Sequence, residues 1–141
     1  EPAELNTELF DKVYGSASVT DVKGFKAKIK QEAEAQFVEI LEREPNNIEA
    51  WEGRVDNLQR LNAHEAALEL INEGLKAVDD TTHLRYQKFA SIFANGEEAN
   101  ALDLLDTLLL NHYDSARRIF KSFPDLLNDN RIADRYNRLK P

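Results

Sequence analysis

Cysteine and methionine are both missing from this chain of 141 residues. Without a thiol there is no disulfide, no thiolate chemistry and no cysteine-held zinc. A chain that opens on Glu1 and lacks Met reads as a processed or excised piece, so any targeting segment is expected to have been removed and the sequence indicates no compartment. Long apolar runs are missing too: nothing approaches the roughly 18 residues that a membrane span requires. The most apolar stretch, Leu108–Leu110 with Leu104 and Leu105, is interrupted by Asp103, Asp106 and Thr107 and reads as the buried stripe of one helix. With 42% hydrophobic and 31% charged residues, the composition argues against both disorder and membrane insertion and suits one domain with a real core.

The charge is unevenly placed. Residues 1–113 hold 22 acidic and 11 basic residues, and residues 114–141 hold 4 acidic and 7 basic, within a net charge of −8. An acidic body repels phosphate at long range, which argues against a nucleic-acid partner. Arg117, Arg118, Lys121, Arg131, Arg135 and Arg138 recur at helical spacings in the tail, but no aromatic residues are arranged around them to stack on bases.

What the chain does have is internal repetition. Asn62 recurs as Gly96, Ala67 as Ala101, Ile71 as Leu105 and Leu75 as Leu109. One period earlier, Ala33, Phe37, Leu41 and Pro45 precede Ala67, Ile71, Leu75 and Asp79. A period of about 34 residues implies stacked helical hairpins, each unable to bury its apolar face alone. The apolar spacing is helical throughout, with no alternating strand pattern. Leu5, Leu9, Phe10 and Val13 form a short stripe ended by Gly15. A long helix is predicted from about Thr20 to Glu44, stopped by Pro45, which disfavours helical geometry in the residue before it.

The best-formed unit spans 47–80. It comprises a helix over Ile48–Leu61 with Trp51, Val55 and Leu58 on one face, and a helix over His64–Val78 with Ala67, Leu68, Ile71 and Leu75. Asn62 joins them at a position that requires left-handed backbone, where Gly96 stands one period later. Ala67 and Ala101 are placed where the paired helices approach most closely. After 81–113 the tail reads as a cap, with a helix over 114–127 that carries Ala116, Ile119, Phe120 and Phe123 on one face and is kinked or ended by Pro124, and with Ile132, Tyr136 and Leu139 on a last short one.

Trp51, Leu58, Ala67, Ile71 and Leu75, preceded by Pro45-Asn46-Asn47, resemble the tetratricopeptide repeat signature. The likeness covers roughly residues 30–113, with one clear and two partial copies. Arg54, Arg85 and Asp79 depart from it, standing where the family prefers apolar residues or proline. The resemblance implies an all-α fold, a right-handed α-α superhelix of about three stacked hairpins with terminal capping helices in a single domain, and a protein-binding scaffold with no cofactor.

Catalytic patterns are scarce. His64, His83 and His112 lie far apart, no His-Glu-x-x-His or Gly-x-Ser-x-Gly occurs, and Asp79, Asp80 and His83 read as a solvated turn and helix start rather than metal ligands. The chain is therefore expected to be no enzyme. In the resembled family the first helix of each repeat lines a concave groove; the positions expected there are Glu49, Glu52, Asp56 and Gln59, then His83, Tyr86, Gln87 and Phe93, then Arg117 and Lys121. Such a groove suits a partner protein or peptide carrying positive charge, with Tyr86 and Phe93 as apolar anchors. The carboxylate clamp that some relatives use for chaperone tails is absent, since Gly53, His83 and Gln87 hold its phases. A rival reading makes the chain a structural arm or self-association segment of a larger protein, with Leu5, Phe10 and Val13 packing on a neighbour or on a second copy.

Overall fold

A computed structural model describes the backbone of residues 22–141 and the side chains of residues 31–141. The stripe of Leu5, Leu9, Phe10 and Val13 lies outside the described residues. Those described are all-helical, with no strand among them: α1 (Val22–Arg43), α2 (Ile48–Arg60), α3 (His64–Ala77), α4 (Thr82–Ala94), α5 (Glu98–His112), α6 (Ala116–Ser122) and α7 (Asn130–Arg138), with 3₁₀ turns at Tyr113–Ser115 and Pro124–Asn128. No helix among the described residues is long and apolar enough to cross a membrane. They divide into two compact units, the first ending at Asp79 and the second running from Asp80 to Pro141.

Helix boundaries repeat with the sequence. Ile48, Thr82 and Ala116 open every second helix, one period apart. The two hairpin turns share one geometry. Asn62 and Gly96 have φ of 60° and 90°, the left-handed region that the period predicts for them. At the first turn the Ala63 N–H donates to the Leu58 carbonyl (2.9 Å) and the Asn62 N–H to that of Gln59 (3.0 Å). At the second, Glu97 donates to Ile92 (3.2 Å) and Gly96 to Phe93 (3.1 Å), the same pairs one period on. This nested pair of bonds satisfies the last carbonyls of one helix while turning the chain into the next.

Two of the helix starts are held by a neighbouring side chain. Asn47 accepts from the Ala50 N–H at 2.9 Å, and Asp80 accepts from the Thr82 N–H at 3.0 Å. Asp80 thus opens α4, and that backbone bond is the first cause holding its carboxyl below the ordinary range.

In the first unit α2 packs on both α1 and α3. Ala67, Leu70 and Ile71 are wholly buried on α3, and Val55 and Leu58 on α2. Gly53 brings α1 close: a Cβ there would collide with the Phe37 ring. In the second unit Phe89, Ala101, Leu105 and Leu109 form one core with Ala116 and Ile119 of α6 and Ile132 of α7. The helix expected over 114–127 is shorter than its periodicity suggests. Its last bond, Phe123 N–H to the Ile119 carbonyl, precedes Pro124, which lacks a donor and opens a 3₁₀ turn instead.

The two turns are directly testable. Nothing lies within 4 Å of the Cβ position on Gly96, so Gly96→Ala adds backbone strain without a clash. It is expected to cost about 1 kcal/mol in urea unfolding, whereas Asn62→Gly is neutral or stabilising. Equal tolerance of alanine at Gly96 would show that its left-handed geometry is not required.

Candidate functional site

Polar burial is segregated between the two helices of each hairpin. The buried residues of α3 are Ala66, Ala67, Leu70, Ile71 and Gly74, and those of α5 are Ala101, Leu102, Leu105, Leu108 and Leu109, with no polar side chain among them. On the first helices the pattern differs: α2 buries Glu52, Arg54, Asn57 and Gln59, and α4 buries His83, Gln87 and Ser91. Asn57 and Ser91 occupy the same phase of the period. Buried polar groups require partners, so they are the less common and more informative kind of interior residue.

In the first unit the most deeply placed charge is Arg54. Its guanidinium donates to Glu34 of α1 through Nε (2.6 Å) and Nη2 (3.2 Å), with the two side chains 1% and 4% exposed. Its other neighbour is the Trp51 ring, whose centroid lies 5.6 Å from the guanidinium carbon. Trp51 itself is half-buried and donates its indole N–H to the Pro45 carbonyl at 2.8 Å. Arg54 therefore holds its apolar phase by bringing a counter-charge from the preceding helix. Of the residues expected on an open face here, Glu49 is exposed, and Asp56 is half-buried and paired with Arg60 at 2.8 Å. Glu52 and Gln59 are corrections: both are buried.

In the second unit the expected aromatic centre is also corrected. Tyr86 is 0% exposed. Its hydroxyl donates to the His112 carbonyl at the end of α5 (2.7 Å), tying the hairpin together from inside. Burial, then the fields of Tyr136 and Tyr113, raise its ionisation above the ordinary tyrosine value. His83 and Gln87 are buried as well, because their turns of α4 face the protein rather than solvent. Phe93 is partly buried against the core, and the Arg131 guanidinium lies 5.7 Å from its ring centroid. Arg131 also pairs with Glu98 (2.9 Å) and Asp129 (2.8 Å), and its hydrogen bond is the first cause holding the Asp129 carboxyl down to about 2. Arg117 and Lys121 are exposed on α6, four residues apart on one face.

The structure thus leaves Glu49, Arg117 and Lys121 open to solvent and places Glu52, His83, Tyr86 and Gln87 inside. Sequence reasoning singled out Arg54 but missed its partner. The available signal was spacing: Glu34, Val38 and Leu41 lie on the inward stripe of α1, where a carboxylate needs a cation. No family model, no curated protein and no solved structure matches the chain.

Two outcomes are expected. Arg54→Ala strands the Glu34 carboxylate and is expected to cost about 3–5 kcal/mol in denaturant unfolding, while the double replacement Arg54→Met with Glu34→Leu recovers most of that loss. Tyr86→Phe is expected to cost about 1 kcal/mol by freeing the His112 carbonyl. Because the folded state favours the neutral phenol, the stability it contributes is complete below about pH 10 and declines as pH rises through the raised value, so the Tyr86→Phe unfolding midpoint should be flatter above about pH 10.

Proposed function

We propose that the chain is a non-enzymatic interaction module of tetratricopeptide type that binds a partner polypeptide through the first helices of its hairpins. The observation that carries this reading is the segregation of side-chain chemistry. α3 and α5 bury only apolar and small residues and act as the scaffold, whereas α2 and α4 carry polar groups, including the matched Asn57 and Ser91. The repeated turn geometry at Asn62 and Gly96 supports the same reading, since it makes α2 and α4 equivalent members of one series. The phase of α6, which opens one period after α4, makes it the next member.

Within this reading the exposed charges, rather than the buried aromatics, meet the partner. Glu49 on α2 of the first unit and, on the second unit taken by itself, Arg117 and Lys121 on α6 are the expected contacts that remain open. Rim charges of this kind set the rate and specificity of encounter more than the affinity. Tyr86 and Phe93 serve the hairpin instead of the partner.

Affinity capture from the native cell, with mass spectrometry of what is retained, tests the assignment. The variant Glu49→Lys, Arg117→Glu and Lys121→Glu should lose the partner that the parent chain holds while its circular dichroism and thermal midpoint stay in place. Reversal of an exposed charge on a scaffold helix, Glu73→Lys, should leave capture unchanged. Retention of the partner by the first-helix variant, or equal loss with Glu73→Lys, would remove the basis for assigning recognition to the first helices.

A further inference from the structure

Asn95 is the one asparagine of the chain that glycine follows. It ends α4 with φ of −80° and ψ of 2°, and Leu61 holds the equivalent place in the first bend with φ of −91° and ψ of 5°. Two bends of one backbone geometry thus carry different chemistry. In the second, a side-chain amide stands directly before the peptide nitrogen of a glycine, whose Cα bears no side chain. In the first, Leu61 has no side-chain carbonyl, and Asn62 is followed by Ala63. The reaction open to the Asn95-Gly96 pair needs only water. The Gly96 nitrogen gives up its proton to solvent and bonds to Cγ of Asn95, ammonia leaves, and a five-membered imide closes. Water then adds to one imide carbonyl and breaks that carbon's bond to the shared nitrogen. Opening at Cγ leaves aspartate, and opening at the main-chain carbon leaves isoaspartate.

The surroundings leave room for this ring. Residues 94–97 are exposed, and nothing lies within 4 Å of where a Cβ on Gly96 would stand. The folded bend nevertheless holds the reacting atoms apart. The ring requires the Gly96 nitrogen to eclipse Cβ of Asn95, whereas a ψ near zero makes it eclipse the Asn95 nitrogen instead. Closure takes a rotation of roughly a third of a turn about the Asn95 Cα–C bond, since the substituents of Cα are set tetrahedrally. That rotation breaks the bond from the Gly96 N–H to the Phe93 carbonyl (3.1 Å) and, with it, the bond from Glu97 to Ile92 (3.2 Å). An exposed helix end opens locally at a fraction of the cost of global unfolding, so opening of this bend sets the rate.

The geometry points to Asn95-Gly96 as a site of self-modification, at which the chain converts an amide to aspartate and isoaspartate from the open form of its second bend. Isoaspartate routes the main chain through Cβ and lengthens it by one carbon, so the Gly96 and Glu97 amides no longer match the Phe93 and Ile92 carbonyls together. The new carboxylate also sits at the C-terminal end of α4, where the helix dipole opposes negative charge, and beside Glu97 and Glu98. The second bend is weakened and the first is spared. Neither the first-helix charges nor a partner enters this chemistry, so it stands independently of the function proposed above.

The test ages the full chain in warm, mildly alkaline buffer, with and without denaturing guanidinium chloride. Each asparagine is then followed by peptide mass spectrometry with fragmentation that separates aspartate from isoaspartate. In native buffer Asn95 should exchange its NH₂ for OH before any other asparagine, Asn62 included, with both products present. Denaturant should speed the change at Asn95 on the order of tenfold, because the bend no longer has to open. Gly96→Ala in denaturant should slow it on the order of tenfold, where strain in the fold plays no part and only crowding by the added methyl remains. In the isoaspartate fraction the Glu97 amide should exchange with solvent faster than in freshly made Asn95→Asp, which carries the charge without the added carbon. The proposal is overturned if another asparagine reacts as fast in native buffer, if aspartate forms without isoaspartate, or if Gly96→Ala in denaturant reacts like the parent. It also falls if denaturant leaves the rate at Asn95 unchanged, or if Glu97 exchanges equally in the two modified forms.

Discussion

A helix of this chain cannot bury its apolar stripe until the chain reverses, and reversal depends on one residue per hairpin passing through left-handed backbone. Asn62 and Gly96 perform that step with the same pair of hydrogen bonds, so α2 meets α3, and α4 meets α5, in matching register. The small residues follow from it. Ala67 and Ala101 are fully buried because the turn sets them where the paired helices come together, and a larger side chain there would force the helices apart.

Once the hairpins close, the two helices of each pair take different chemical duties. The second helices supply leucine, isoleucine and alanine to the interior, and the first helices carry the polar groups. The Glu34–Arg54 pair shows how far this goes, since a salt bridge almost shut off from water occupies a position that an apolar residue could fill. Such a pair adds little net stability compared with well-packed apolar replacements, but removing one partner is costly. Its effect here is on alignment: the bidentate geometry accepts one placement of α1 against α2, beside the close approach at Gly53.

Much of the fold was legible because period and turn chemistry act locally. The all-helical class, the helix ends near Pro45 and Pro124, and the left-handed residues at 62 and 96 follow from rules that involve a few neighbours. The extent of the helix after Tyr113 was less legible, because its apolar spacing continues past the proline that ends it. The face of each first helix was the least legible part. Residues 83, 86 and 87 lie on adjacent turns, and a small rotation of the helix decides whether Tyr86 meets solvent or the His112 carbonyl. Arg54 departs from the apolar phase of its helix because its partner, Glu34, comes from the preceding helix, 20 residues away in sequence. The apolar spacing puts Leu110 in a buried stripe with Leu108 and Leu109, whereas it is 69% exposed.

The equivalence of the two bends is the claim on which the rest depends, and amide hydrogen exchange measured residue by residue tests it most directly. The Ala63 and Glu97 amides should exchange slowly and to a similar degree, each held by a carbonyl at the end of the preceding helix, with Cα chemical shifts leaving the helical range at Asn62 and Gly96. Free exchange at both amides, or helical shifts running unbroken through either bend, would contradict it.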